Sequence, residues 1–170
     1  MIHKILTPTD AEAFQAIRLR GLKECPEAFA SSYEEEIDNP ISKVQSRLET
    51  NEQSVIFGAF ESARLVAVVG LARETMRKYS HKAFVWGMYV APEARRAGTG
   101  ASILQFTLAH AADKMKVRQV NLGANTKNIA AVALYKKLGF EHYGIERDFM
   151  FVDGVFHDEY QMVWRAPSAV

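Results

Sequence analysis

The stretch Arg95-Arg96-Ala97-Gly98-Thr99-Gly100 sits between an apolar run (Phe84, Val85, Trp86, Met88, Tyr89, Val90) that breaks at Pro92 and a segment with helical spacing of apolar residues. The pattern fixes a strand-turn-helix junction near the middle of the chain. Glycine strips such a turn of side chains, and the first turn of a helix carries unpaired backbone donors and a partial positive charge. With the guanidiniums of Arg95 and Arg96 alongside, the junction suits a pyrophosphate held on backbone N–H groups.

Composition narrows the setting of that junction. With 170 residues, 48% of them hydrophobic, the chain can bury the core of one compact domain, and a single domain over 1–170 is expected. Lys plus Arg number 21 against 20 for Asp plus Glu, so a net charge of +1 gives no reason to expect nucleic acid or an anionic membrane as partner. Cys25 is the only cysteine, which excludes an intrachain disulfide and leaves no thiol pair for zinc, so no metal site is expected. Followed by Pro26 and with no histidine near it in sequence, Cys25 reads as a plain structural thiol. No signal peptide or membrane-length apolar run is evident, and a cytoplasmic location is expected.

Periodicity supplies the remaining elements. His3 to Leu6 reads as a short strand, and Thr9 with Glu12 as a capping box for a helix carrying Phe14, Ile17 and Leu22 on one side. Asn39-Pro40 fits an N-cap and first helical position for a second helix with Ile41, Val44 and Leu48 as its buried stripe. Glu34-Glu35-Glu36, between them, reads as a solvated face or as a rim for a cationic substrate. Ser54 to Phe60 and Leu65 to Arg73 form a hairpin whose Glu61 to Arg64 loop is longer than two residues, and Ala83 to Val90 continues the meander. From Gly98 to about Lys116, Ile103, Leu104, Phe106, Leu108, Ala111 and Met115 recur at helical spacing. Val117 to Ala124 is a strand, Asn128 to Leu138 a short helix ended by Gly139, and Glu141 to Phe151 pairs with Val155 to Trp164 across Asp153-Gly154. The order implies an α+β fold with a largely antiparallel sheet flanked by helices.

A glycine loop before a helix serves several classes of ligand, and chemistry separates them. A dinucleotide site needs a third glycine where Ile103 stands and an acidic residue some way on, where Gln119-Val120-Asn121 is found. A triphosphate loop needs Gly-Lys-Ser/Thr in place of Gly100-Ala101-Ser102. A second segment points elsewhere: Asn128-Ile129-Ala130-Ala131-Val132-Ala133-Leu134-Tyr135-Lys136-Lys137-Leu138-Gly139-Phe140. Together the two resemble the GCN5-related N-acetyltransferase (GNAT) superfamily. Its pyrophosphate loop, Gln/Arg-x-x-Gly-x-Gly/Ala, is matched by Arg95, Gly98 and Gly100, and its later signature by Asn128, Ala131, Leu134, Tyr135, Gly139 and Phe140.

The resemblance implies a splayed strand pair forming an acetyl-CoA cleft and an N-acetyltransferase that acts by direct attack in a ternary complex. Acetyl-CoA is the implied co-substrate, and the acceptor a small-molecule amine or a peptide amino group. By resemblance, backbone around Met88, Tyr89 and Val90 would bind the pantetheine arm. The residues Arg95, Arg96, Ala97, Gly98, Thr99, Gly100 and Ala101 would hold the pyrophosphate, Asn128 would bond the coenzyme arm, and Tyr135 would protonate the leaving thiolate. Ribosomal-protein N-terminal acetyltransferases of the family carry a catalytic glutamate at the position of Gly123, so the general base stays open among Glu34, Glu35, Glu36, Glu141, His157 and Glu159. That gap motivates two alternatives, a catalytically weak acyl-CoA sensing module and a toxin-like acetyltransferase of aminoacyl-tRNA. Phe149, Phe151, Phe156, Tyr160 and Trp164 fit either a homodimer interface or an intramolecular core.

Overall fold

The computed structural model describes residues 1–51 and 53–167. Strands β1 (Ile2–Ile5), β2 (Ser54–Glu61), β3 (Arg64–Arg73), β4 (Lys82–Val90), β5 (Gln119–Asn125), β6 (Glu141–Val152) and β7 (Val155–Arg165) form one sheet in the order β1-β2-β3-β4-β5-β7-β6. Every neighbouring pair is antiparallel except β4 with β5. The helices are α1 (Ala11–Glu24), α2 (Tyr33–Glu36), α3 (Ile41–Arg47), α4 (Thr99–Asp113) and α5 (Ile129–Lys137).

The central strands read as unbroken apolar runs because both faces of the sheet are covered. On one face Phe57, Val69, Leu71 and Val120 pack with Ile103, Leu104 and Leu108 of α4. On the other, Ile56 and Val68 pack with Phe14, Ile17 and Leu22 of α1 and with Val44 of α3. Phe106, expected among the buried positions of α4, is instead 40% exposed, where it stacks on His3 with ring centres 5.6 Å apart.

Three junctions differ from the sequence expectation, each for a local reason. The cap expected at Thr9 and Glu12 lies two residues earlier: the Asp10 carboxylate accepts the Thr7 N–H at 2.9 Å across a short 3-10 turn, Pro8–Asp10. Pro40 is extended (ψ 148) and not the first helical residue, so α3 begins at Ile41 while Asn39 Oδ1 accepts from Lys43 Nζ at 2.8 Å. The β2–β3 loop is only two residues, Ser62 and Ala63, both left-handed at φ 47 and 67. That twist matches the flanking strands, which outweighs the cost of placing two Cβ-bearing residues there. At the β6–β7 turn, Asp153 and Gly154 take the expected left-handed pair, φ 48 and 79.

The acidic run is also divided. Ser32 and Glu35 cap α2 reciprocally, with Ser32 N–H to Glu35 Oε2 at 2.7 Å and Glu35 N–H to Ser32 Oγ at 3.2 Å. Glu34 and Glu35 are exposed, whereas Glu36 is buried, with Oε1 2.8 Å from Arg18 Nη2 and Oε2 3.2 Å from Arg47 Nη1. The solvated-face reading therefore fails for Glu36: a four-residue helix turns its last side chain inward onto α1 and α3.

Burial opposes ionisation of Glu36, but the bond from Arg18 and the charges of Arg18 and Arg47 outweigh it and hold the carboxyl below its usual range. A carboxyl so depressed contributes stability that is present above its unfolded-state pKa and is lost as pH falls through the folded value. We expect Glu36→Ala, which leaves Arg18 buried without a counter-charge, to cost about 3–5 kcal/mol in urea unfolding at neutral pH. The difference from the parent should shrink as pH drops below the carboxylate range. A neutral-pH loss under about 1 kcal/mol would contradict this reading of the pair.

Candidate active site

Strands β4 and β5 are paired only through Lys82↔Gln119, Ala83↔Val120 and Phe84↔Asn121. Beyond these rungs β4 runs on to Val90 and β5 to Asn125 without further pairing, so a wedge opens between two adjacent strands of one sheet. The cause is a bulge on the far side of β4, where Val68↔Tyr89 and Gly70↔Trp86 set Gly87 and Met88 against the single residue Val69. Gly87 adopts φ +62, a left-handed conformation that glycine takes at no steric cost. Two side chains lock the bulge from the α1 face. The Trp86 indole lies directly over Gly70, in the space a Cβ there would need, and Arg18 Nη1 stands 3.3 Å from where a Cβ of Gly87 would project. This Nη1 is fully enclosed and has no acceptor among the described residues, so it acts as a packed wedge under the bulge.

The glycine loop follows at the end of β4. After the 3-10 turn Pro92–Ala94, Arg96 and Gly98 are left-handed (φ 63 and 82), and α4 starts at Thr99. The first N–H closed inside the helix is that of Ser102, which donates to Gly98 O at 3.0 Å, leaving those of Thr99, Gly100 and Ala101 free of intrahelical acceptors. Arg95, Arg96, Ala97 and Gly98 are exposed, and Thr99 is buried with its hydroxyl enclosed and unbonded to any described residue. Gly98 is favoured by its dihedral angle, and Gly100 is closely packed: a Cβ on Gly100 would lie 3.1 Å from Leu134 Cδ2 and 3.6 Å from both Met88 Cε and Val90 Cγ2. The two loop arginines diverge. Arg95 folds back, its Nε donating to Val90 O at 2.9 Å and its Nη2 lying 3.5 Å from Glu24, while Arg96 makes no ion pair with any described residue.

The start of α4, the end of β4 and helix α5 thus meet at one point, and Tyr135 lies there. It is buried, with its ring 5.8 Å from that of Phe140 and its hydroxyl 3.8 Å from Met88 Sδ. Burial pushes its phenol up to about 12, which keeps it protonated and able to donate throughout the neutral range. Met88 and Val90 pack on the α4 face, whereas Tyr89 points the other way, its hydroxyl donating to Glu24 at 2.5 Å and its ring lying against Gly21. Asn128 caps α5, Oδ1 accepting the Ala131 N–H at 3.1 Å.

The opposite wall of the wedge is polar. Gly123 is exposed on β5, and the register Asn125↔Glu159 and Gly123↔Gln161 brings Glu159 and Gln161 of β7 beside it. Gln161 Nε2 donates to Glu159 Oε1 at 2.9 Å and to Glu146 Oε2 at 3.3 Å. Asn125 Nδ2 donates to Glu27 O at 3.2 Å and lies 3.1 Å from His157 Nδ1. Of the other acidic residues singled out in the sequence, Glu35 is spent on its cap, Glu36 on Arg18, and Glu141 lies at the edge of the sheet near Arg165. Sequence reasoning missed Arg18 altogether, since nothing in a helical arginine's spacing marks it as the support of a distant bulge.

Other features do not compete for this position. A cavity of about 440 Å³ between α1 and α3 is lined by Arg18, Glu36 and Arg47, which are already paired with one another. Among the described residues no cluster of His, Cys, Asp and Glu could hold a metal, and no helix is long and apolar enough to cross a membrane. Cys25, at the end of α1, has its thiol pushed up by burial, the opposite of an activated nucleophile.

Comparison with known proteins agrees with this geometry. The chain is 26% identical over 120 residues to the probable N-acetyltransferase YjcK of Bacillus subtilis (strain 168), a match spanning 69% of this chain and 65% of that protein. The fold superposes with a TM-score of 0.88 on an acetyltransferase of the GNAT family from Streptococcus pneumoniae, at 21% identity over 97% of this chain and 99% of that one. It matches yncA from Salmonella typhimurium, solved with its cofactor acetyl-CoA, with a TM-score of 0.82 and 17% identity over 100% and 99% of the two chains. A model of the acetyltransferase (GNAT) family matches residues 19–140, spanning the bulge, the glycine loop and Tyr135, and the chain belongs to that family.

Proposed function

We propose that this chain is an N-acetyltransferase that moves the acetyl group of acetyl-CoA onto a primary amine, on a small molecule or a peptide, by direct attack with both substrates bound. The carrying observation is that the open N-terminus of α4, the splayed edge of β4 and the Tyr135 hydroxyl converge around Met88. A pyrophosphate fits the free amides of Thr99, Gly100 and Ala101 and the exposed loop from Arg95 to Gly98, with Arg96 as the available charge. Arg95 tethers the loop to Val90 and holds the end of β4 in place. The pantetheine arm then runs along the unpaired edge at Met88, Tyr89 and Val90, in the manner of an added strand, toward Asn128 at the head of α5.

In the reaction the amine lone pair forms a C–N bond at the thioester carbonyl and the C–S bond breaks. Tyr135, a phenol held protonated by burial, gives its proton to the departing sulfur. No covalent acyl-enzyme is required, because Cys25 is the single thiol and its environment disfavours the thiolate. We read residues 1–170 as a single domain serving this one site, in keeping with a continuous sheet from Ile2 to Arg165, and we place its work in the cytoplasm.

Titration calorimetry with acetyl-CoA, followed by thiol release across a panel of amino acids, polyamines and short peptides, tests the reading. Saturable coenzyme binding and acceptor-dependent thiol release support it, whereas absence of coenzyme binding refutes it. Tyr135→Phe should retain acetyl-CoA affinity within about threefold while losing about 100-fold or more in kcat. Coenzyme binding without turnover in either form would instead indicate a sensing module. Arg96→Ala should weaken the acetyl-CoA Kd by about tenfold or more without changing the melting temperature, and the difference should narrow as salt is raised.

A further inference from the structure

An amine at neutral pH arrives as an ammonium, so a transferase of this kind needs a proton acceptor on the open side of the wedge. Neither strand bordering the wedge offers one: past Phe84, β4 carries Val85, Trp86, Gly87, Met88, Tyr89 and Val90, and past Asn121, β5 carries Leu122, Gly123, Ala124 and Asn125. The next strand does. Glu159 of β7 leans over Gly123 so closely that a Cβ there would coincide with the Glu159 carboxylate, overlapping Oε1 and Cδ. Gly123 is not a left-handed position, so its lack of a side chain serves space and not backbone freedom. The missing side chain of β5 is thus replaced, in the same volume, by a carboxylate reaching across from β7.

We propose that Glu159 is the group that takes the proton from the acceptor ammonium, using the place vacated at Gly123. This rests on the acetyltransferase reading above and adds the second of its two proton carriers. The ammonium gives one proton to Glu159, and the freed lone pair forms the C–N bond as the C–S bond breaks. The sulfur takes the Tyr135 proton, the surplus proton left on the amide nitrogen restores the phenol through solvent, and Glu159 releases its own proton to water.

The surroundings suit the task. Glu159 is half-buried and reachable, and Gln161 Nε2 donates to Oε1 at 2.9 Å, which fixes one oxygen and leaves Oε2 free of any described partner. Glu146 faces it across the β6 register, His157 lies two residues before it on the same face, and Asn125 stands opposite on β5, held by the carbonyl of Glu27 from the Pro26–Ala28 turn. His157 Nδ1 meets the Asn125 amide, so His157 is engaged sideways and not toward Glu159. Burial, helped by the Glu146 charge and opposed by Gln161, raises the Glu159 carboxyl above its usual range, toward the basicity a proton acceptor needs.

The test uses the full chain, acetyl-CoA, and the best acceptor from the amine panel. Glu159→Gln, which keeps the shape and the Gln161 contact, should bind acetyl-CoA within about threefold of the parent and lose about 100-fold or more in kcat/KM. The acidic limb of its pH profile should move from a raised carboxyl value up to the free amine's own pKa. Combining Gly123→Glu with Glu159→Gly returns a carboxylate to the same side of the wedge from β5 and should recover at least about a tenth of the parent rate. Glu159→Gln turning over within about threefold of the parent, with an unmoved pH limb, would overturn the assignment while leaving the acetyltransferase intact. Failure of the parent itself to bind acetyl-CoA would remove both.

Discussion

The site depends on the parting of β4 from β5. Parallel neighbours in the middle of a sheet normally stay paired, since unpaired backbone edges inside a protein are costly. Here the pairing stops after three rungs, because the bulge at Gly87 and Met88 turns β4 away while β5 stays paired with β7 along its whole length. One left-handed glycine therefore makes a cleft without any loop insertion. Its edges are main chain and indifferent to side-chain identity.

Such a bulge needs support, and the support is polar. Arg18, Glu36 and Arg47 form a charged chain from α1 through α2 to α3, buried at Arg18 and Glu36, with Arg47 also lying 4.9 Å over the Trp86 ring that covers Gly70. An apolar filling would cost less desolvation, but it could not be directional. The planar guanidinium of Arg18 binds Glu36 through Nε and Nη2 and points the remaining Nη1 under Gly87, so one side chain joins the second helix to the strand. The loop is tied down in a similar way at the surface: Glu93 pairs with Arg20 and Arg64, and Glu24 with Arg20 and Arg95. Helix α1 thereby grips both the bulge and the entrance to α4, which keeps the β4 bulge and the glycine loop in one frame.

What the sequence disclosed follows the same division. Elements defined by local chemistry were legible: the glycine loop opening α4, the Asn128 cap, the Asp153-Gly154 turn, and the apolar runs of β2 to β5. Boundaries decided by one hydrogen bond, such as Asp10 with Thr7, shifted by a residue or two. The two-residue turn at Ser62-Ala63 was hidden because it uses left-handed residues other than glycine or asparagine. Arg18 and Glu36 were illegible because long-range packing creates their roles. Gly87 could be noticed as a glycine in a strand, yet its consequence depends on what β5 does thirty-odd residues later.

Gly123 shows how space left empty on one strand can be filled from the next. Read along the chain it is an absence, a position where a proton acceptor is expected and none stands. In the sheet, adjacency runs across strands as well as along them, and cross-strand neighbours share a face at spacings close enough to exchange one side chain's volume for another's. With β7 hydrogen-bonded to β5 from Gln119↔Arg165 to Asn125↔Glu159, any residue of β7 on that face has access to the same space as its β5 partner and the diagonal neighbour. Removal of the side chain at 123 and occupation of its volume from 159 are thus one structural event. A glutamate at 123 would collide with Glu159, and alanine at 123 would already force Glu159 out of its present position. The two positions are coupled sterically before any chemistry is considered, so substitutions at 123 and 159 should not be energetically additive.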